Sequence, residues 1–223
     1  MIFNFLSQYG YYGFLSLGAI SMAVLAVWRR KRYGISAVSA VLISLLLLVC
    51  GIAGAKLLFF VESGFSSFSG MSFFGSVFLV LLIMPMIGWL FRMKAMETLD
   101  LCAPCVASII SFMRFGCYCA GCCGGTVCTI GTYSFRWPTQ LMEGFGDLLI
   151  LAFLLRMEKS KHSKGTLYPL FLIIYGFMRF FIEFFRDTPK NFGGASEGQL
   201  LALLGIATGI GFIIALRRHK VKT

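Results

Sequence analysis

Seven apolar runs, each at or near the roughly 20 residues needed to cross a hydrocarbon core as helix, alternate with short polar connections along this chain. They cover residues 12–28, 38–60, 73–91, 101–120, 140–155, 167–185 and 199–216. The pattern predicts an all-α integral membrane protein, a bundle of about seven transmembrane helices. No polar block exceeds a loop, so residues 1–223 read as one polytopic domain without linker, repeat or low-complexity tail. The first run is followed, not preceded, by the basic cluster "RRKR" at 29–32, which marks an uncleaved first helix and not a signal peptide.

Composition agrees with that reading, since 58% hydrophobic and 13% charged residues lie far outside the usual proportions of soluble domains. The net charge of +11 changes the picture only once the charges are placed. Arg29 to Arg32, Arg92, Lys94, Arg156, Lys159, Lys161, Lys164, Arg217, Arg218, Lys220 and Lys222 all fall on alternate connections, the same side of a seven-span topology. The positive-inside rule then puts the amino terminus outside and the carboxyl terminus in the cytoplasm. The surplus charge is a topology signal whose natural partner is the anionic bilayer surface, not nucleic acid.

The remaining cations, Lys56, Arg114, Arg136, Arg179, Arg186 and Lys190, sit within spans or toward the outer side. An ionisable side chain deep in a span costs on the order of 3 kcal/mol, so a functional partner is the default reading. In "YPLFLIIYGFMRFFIEFFRDTP", Tyr175, Arg179, Glu183 and Arg186 share one helical stripe. Two arginines around one carboxylate leave positive charge facing the bundle, which suits an anion such as a phosphate. A purely structural ion pair between packed helices is the alternative. The fifth run opens "WPTQLMEGFGDL", where Gln140, Glu143 and Asp147 line another face; interhelical hydrogen bonding or function would both explain them.

The fourth run, initiated at Ala103 and Pro104, ends in "MRFGCYCAGCCGG", residues 113–125. Gly116, Gly121, Gly124 and Gly125 permit close backbone approach and could present N–H groups to an anion beside Arg114. The glycine-rich "SGMSFFGS" at 69–76 could cap the same cavity or form a plain turn. Cys117, Cys119, Cys122 and Cys123, with Cys128 nearby, admit several readings: a metal site, disfavoured by the tight spacing and the lack of histidine; disulfides; reactive thiols at Cys117 and Cys122; or small residues packing a tight bundle. No metal and no cofactor is expected.

Taken in order, these motifs resemble the bacterial prolipoprotein diacylglyceryl transferases, seven-helix enzymes that move diacylglycerol from phosphatidylglycerol to a lipobox cysteine thiol. "YYGF" resembles the family's amino-terminal Tyr-Gly, with Tyr12 as its tyrosine, and "GMSFFGS" its Gly-Met-Ser-Phe-His-Gly-Gly. "DLCAPC" resembles Asp-x-x-Ala-Pro, and "RFGCYCAGCCGG" the signature Gly-Arg-x-Gly-Asn-x-x-Asn-Gly-Glu-x-x-Gly. "PTQLMEG" is similar to Pro-Ser-Gln-Leu-Tyr-Glu, and "YGFMRFFIEFFRD" to Tyr-Gly-x-x-Arg-Phe-x-x-Glu-Phe-x-Arg.

The resemblance implies that Arg114 and Arg179 grip the lipid phosphate and that Glu183 orients them. Cys117 and Cys122 join these as candidate catalytic residues. Tyr12, Gly75, Gly116, Gly121, Gly125, Gln140, Glu143, Tyr175 and Arg186 are the corresponding substrate-binding candidates. Phe74 stands where the family has histidine, Cys117 and Ala120 where it has asparagines, and Cys122 where it has glutamate. The expectation is a transferase of lipoprotein biosynthesis in the bacterial cytoplasmic membrane, with phosphatidylglycerol or another anionic phospholipid and a prolipoprotein-like peptide as partners. A membrane thiol-disulfide oxidoreductase or redox sensor, or a noncatalytic lipid-binding paralogue, are the competing readings.

Overall fold

The computed structural model describes residues 2–66, 73–159, 165–190 and 193–221. Seven α-helices follow one another: α1 (Ile2–Tyr33), α2 (Ala37–Glu62), α3 (Phe73–Leu90), α4 (Ala95–Cys119), α5 (Thr139–Lys159), α6 (Leu167–Ile182) and α7 (Glu197–Val221). Between α4 and α5 lies a hairpin of β1 (Val127–Ile130) and β2 (Tyr133–Arg136). Among the described residues, five stretches are long and apolar enough to cross a membrane: Tyr9–Tyr33, Ala37–Val61, Ala95–Cys119, Leu167–Phe185 and Glu197–Arg218. The chain is thus an all-α, multi-pass membrane protein. Helix α5 misses that threshold because it carries Glu143, Asp147, Arg156, Glu158 and Lys159.

Helix α4 is the axis of the bundle, packed on α1, α3, α5 and α6, and the most buried of the candidate spans. Ala103 and Ala107 of α4 meet Ile150 and Leu154 of α5 and Leu167 and Phe171 of α6. Met22, Ala26, Ala40 and Cys105 tie α1, α2 and α4 together. Outward faces stay apolar, with Leu82, Trp89, Leu149 and Leu204 exposed as lipid-facing residues would be.

Pro104 does not initiate α4, as its sequence suggested, but lies inside it. Without an N–H it leaves the Asp100 carbonyl unpaired within the helix. Arg29 supplies the missing donor: its Nη2 donates to the Asp100 carbonyl at 2.9 Å and its Nη1 to that of Leu101 at 2.5 Å. Its Nε and Nη2 grip both oxygens of Glu158 at 2.6 and 2.8 Å, and Tyr33 donates to the same carboxylate at 3.0 Å. Asp100 in turn accepts from the backbone N–H groups of Gly165 and Tyr168, fixing the start of α6. Arg29, expected among the loop cations, is therefore a buried brace between α1, α4 and α5.

The hairpin went unforeseen. Its quartets "VCTI" and "YSFR" pair in register Val127↔Arg136 to Ile130↔Tyr133 around the two-residue turn at Gly131, whose φ of 63° suits the tight hairpin geometry. Helix α7 begins two residues before the expected start, with a reciprocal cap. Ser196 Oγ accepts from the Gln199 N–H, and Gln199 Oε1 from the Ser196 N–H.

Candidate active site

At the opposite end of the bundle from Arg29, three arginines converge on one carboxylate. Glu143, one turn into α5 and 1% exposed, receives Arg179 Nη1 and Arg186 Nη1, each at 2.7 Å, on Oε1. Arg114 Nε of α4 lies 2.6 Å from Oε2, off the hydrogen-bond axis, as an ion pair. Arg179 Nη2 also pairs with Glu183 at 2.8 Å. Glu143 is the counter-ion of all three arginines, and Glu183 is shared by two of them, with Arg186 Nε 3.6 Å from the Glu183 Oε2 that Arg179 meets. Glu183 holds the end of α6 against α7, accepting from the hydroxyls of Thr188 and Ser196 at 2.8 and 2.9 Å.

Local structure explains the convergence. The last turn of α6 tightens into a 3₁₀ turn, Glu183–Phe185, and Arg186 leaves it in extended conformation. Its backbone bridges to Gly125, while the Thr126 N–H donates to the Phe185 carbonyl at 2.8 Å. A Cβ on Gly125 would overlap that carbonyl and lie 2.7 Å from Trp137 Cβ, so only glycine admits this stitch. The glycine loop thereby fixes where Arg186 enters.

Three guanidiniums bring about fifteen N–H donors to the four oxygens of Glu143 and Glu183. Positive charge and donors exceed what these two carboxylates absorb. Among the described residues, both Asp147 oxygens and the Tyr175 hydroxyl are buried without a hydrogen-bond partner. Asp147 lies one turn beyond Glu143 on the same helix, and Tyr175 one turn before Arg179. Such orphans are expensive unless a ligand meets them.

The cysteine-rich turn lies one helical turn beyond Arg114. Helix α4 ends in a Schellman motif: the Gly121 N–H donates to the Tyr118 carbonyl and the Cys122 N–H to that of Cys117, with Gly121 at φ 68°. That motif folds Cys122 back onto Cys117. Cys123 follows at φ 61°, a left-handed conformation unusual for a residue with a Cβ. The three sulfurs lie within 4.8 Å of one another. A hydrogen bond with Cys117 and the facing guanidiniums of Arg114 and Arg186 hold the Cys123 thiol well below the usual thiol range, whereas burial pushes Cys122 up. The sequence had singled out Cys117 and Cys122; the low-lying thiol is their neighbour Cys123. All eight cysteines are free.

Arg114, Arg179, Arg186, Glu143, Glu183 and Tyr175 thus belong to one polar assembly, with Cys117, Cys122, Gly121 and Gly125 on its rim. Gln140 braces the rim, donating to the Cys122 carbonyl at 2.6 Å. Three candidates lie elsewhere. Tyr12 is 57% exposed on the outer face of α1; its neighbour Tyr11 packs beside Gly116 and the cysteines instead. Gly116 serves that α1–α4 packing. Gly75 faces Gly54, where the two backbones meet too closely for any side chain, joining α3 to α2. Residues 69–72 of the adjoining glycine-rich stretch lie outside the described residues. Sequence reasoning left Asp147 undecided and missed the hub role of Glu143; its position opposite the arginine stripe was the available signal.

Comparison with known proteins places the chain in a family. The family model described as prolipoprotein diacylglyceryl transferase matches residues 1–215. A phosphatidylglycerol–prolipoprotein diacylglyceryl transferase of Clostridium tetani is 28% identical over 96% of this chain and 95% of its own length. That of Chlorobaculum tepidum is 36% identical over 67% of this chain and 57% of its own. The second such enzyme of Clostridium perfringens is 27% identical over 89% and 88%. The chain belongs to the prolipoprotein diacylglyceryl transferase family, a family of membrane transferases.

Proposed function

We propose that this protein transfers the diacylglyceryl group of phosphatidylglycerol to a cysteine thiol of a prolipoprotein or similar acceptor. The observation that carries the reading is the convergence of Arg114, Arg179 and Arg186 on buried Glu143, with donors left over for a phosphate. A guanidinium meets phosphate oxygens through two parallel N–H groups, so Glu143 and Glu183 act by aiming the forks. As the acceptor sulfur attacks the glyceryl carbon, negative charge grows on the departing glycerol phosphate. The preset arginines stabilise that charge without reorganising. The orphaned Asp147 and Tyr175 supply polar contacts for the glycerol hydroxyls.

In this reading the whole chain is one domain in the bacterial cytoplasmic membrane, with seven spans, the amino terminus outside and the carboxyl terminus in the cytoplasm. The basic connections at the Arg29 end of the bundle support that orientation. The names of the relatives favour lipid transfer over the thiol-disulfide alternative.

Complementation tests it. Expression in cells depleted of their own diacylglyceryl transferase should restore lipoprotein maturation, read as a gel shift. Stable membrane expression without maturation would refute the acceptor assignment.

A further inference from the structure

We propose that Cys117, Cys122 and Cys123 form a three-thiolate site for a soft d¹⁰ dication of the Zn²⁺ type, whose fourth position receives the acceptor's thiol as a thiolate. The proposal rests on the transfer reaction above and names how its nucleophile is made.

Geometry comes first. The three sulfurs lie within 4.8 Å of one another, and tetrahedral thiolate coordination at about 2.3 Å needs sulfurs roughly 3.8 Å apart, a small side-chain adjustment. The cluster is built by its backbone. The Schellman motif returns Cys122 to Cys117, and the left-handed turn at Cys123 brings in the third sulfur. The first turn of α5 pins the carbonyls behind them, Gln140 at Cys122 and Thr139 at Cys123. A left-handed residue with a Cβ, held from behind, is a constraint that plain packing does not require.

Coordination number and charge point the same way. Three protein ligands with an open position distinguish catalytic zinc sites from closed structural ones. Cys117 is buried, whereas Cys122 and Cys123 are exposed, so the open position faces outward. Three thiolates around a dication carry one net negative charge. Arg114, one turn before Cys117, and Arg186, whose backbone bridges to Gly125 two residues after Cys123, flank the cluster and offset it.

The step balances without redox change. The acceptor thiol displaces water from the ion, and its proton passes to solvent, since a coordinating thiol is deprotonated outright. The sulfur lone pair forms the C–S bond to the glyceryl carbon as the C–O bond to phosphate breaks. That bond's electron pair leaves with glycerol phosphate, held by the arginines. The thioether product is a weak ligand and dissociates.

The test uses purified, reduced full-length protein and Co²⁺ as probe, with absorption bands reporting thiolate number and tetrahedral geometry. One Co²⁺ per chain should bind, and Ser at position 117, 122 or 123 should weaken binding by about tenfold or more, whereas Cys50→Ser should not. A prolipoprotein-like peptide should shift the bands through its cysteine, and its serine counterpart should leave them unchanged. Chelation should slow transfer by about a hundredfold while phosphatidylglycerol binding persists. Absence of stoichiometric binding, binding indifferent to the three serines, or no cysteine-dependent shift would overturn the site. Loss of phosphatidylglycerol binding in the metal-free protein would instead strike the phosphate reading.

Discussion

The molecule buries two clusters of opposite charges, about 22 Å apart along α5, and they differ in how completely their valences are filled. Around Glu158, every nitrogen of Arg29 has an acceptor: two carboxylate oxygens, the Asp100 carbonyl that Pro104 frees, the Leu101 carbonyl beside it, and the Tyr33 hydroxyl. Around Glu143, three guanidiniums share one carboxylate, and Asp147 and Tyr175 keep unmatched polar atoms. Both carboxylates are buried. Burial of charge therefore does not by itself mark a site; surplus donors and orphaned acceptors do.

Breaking the saturated cluster should have the largest effect on stability. Arg29→Ala strips Glu158 of its two-pronged partner and the Asp100 and Leu101 carbonyls of their guanidinium donors, and should destabilise by about 3–5 kcal/mol, read as a lower thermal midpoint in detergent. Turnover per folded molecule should stay close to that of the unaltered protein. A large loss of turnover at unchanged stability would erase the distinction between the clusters.

At the unsaturated cluster the sign should reverse. Asp147→Ala removes a buried carboxyl that has no hydrogen-bond partner, so the thermal midpoint should rise, by about 1 kcal/mol of stability, while transfer falls. A destabilised variant would mean that Asp147 is bonded within the resting bundle and belongs with the braces. The smallest effect belongs to the rim. Arg136 and Asp187 pair at 3.5 Å with more than half of each side chain exposed, so Asp187→Asn should shift stability by less than about 0.5 kcal/mol.

The helices and the Arg179–Glu183–Arg186 stripe were legible in the sequence because both are local, set by length, hydropathy and spacing along one helix. The stripe even survives the 3₁₀ turn that the ideal period ignores. What was illegible is pairing between distant segments. Arg29 reads as one more basic loop residue beside Arg30 to Arg32 until α1 is laid against Glu158, 129 positions later. Pro104 reads as a helix start because nothing in its neighbourhood announces that a donor from α1 will satisfy the Asp100 carbonyl it frees. Tyr11 and Tyr12 are adjacent in a motif, and only the rotation of α1 decides which one faces the bundle. The hairpin was hidden by its four-residue strands, although Gly131 between two β-rich quartets was a visible cue.

The division between brace and clamp meets its most direct test in the phosphatidylglycerol affinity of purified Arg179→Lys, measured beside its transfer rate and thermal midpoint. Lysine keeps the charge and loses the fork. Affinity and rate should both fall by roughly tenfold or more, with a midpoint change too small to explain it. Arg179→Lys that binds and turns over like the unaltered protein would contradict the phosphate clamp and return the Glu143 cluster to the same structural class as Arg29 and Glu158.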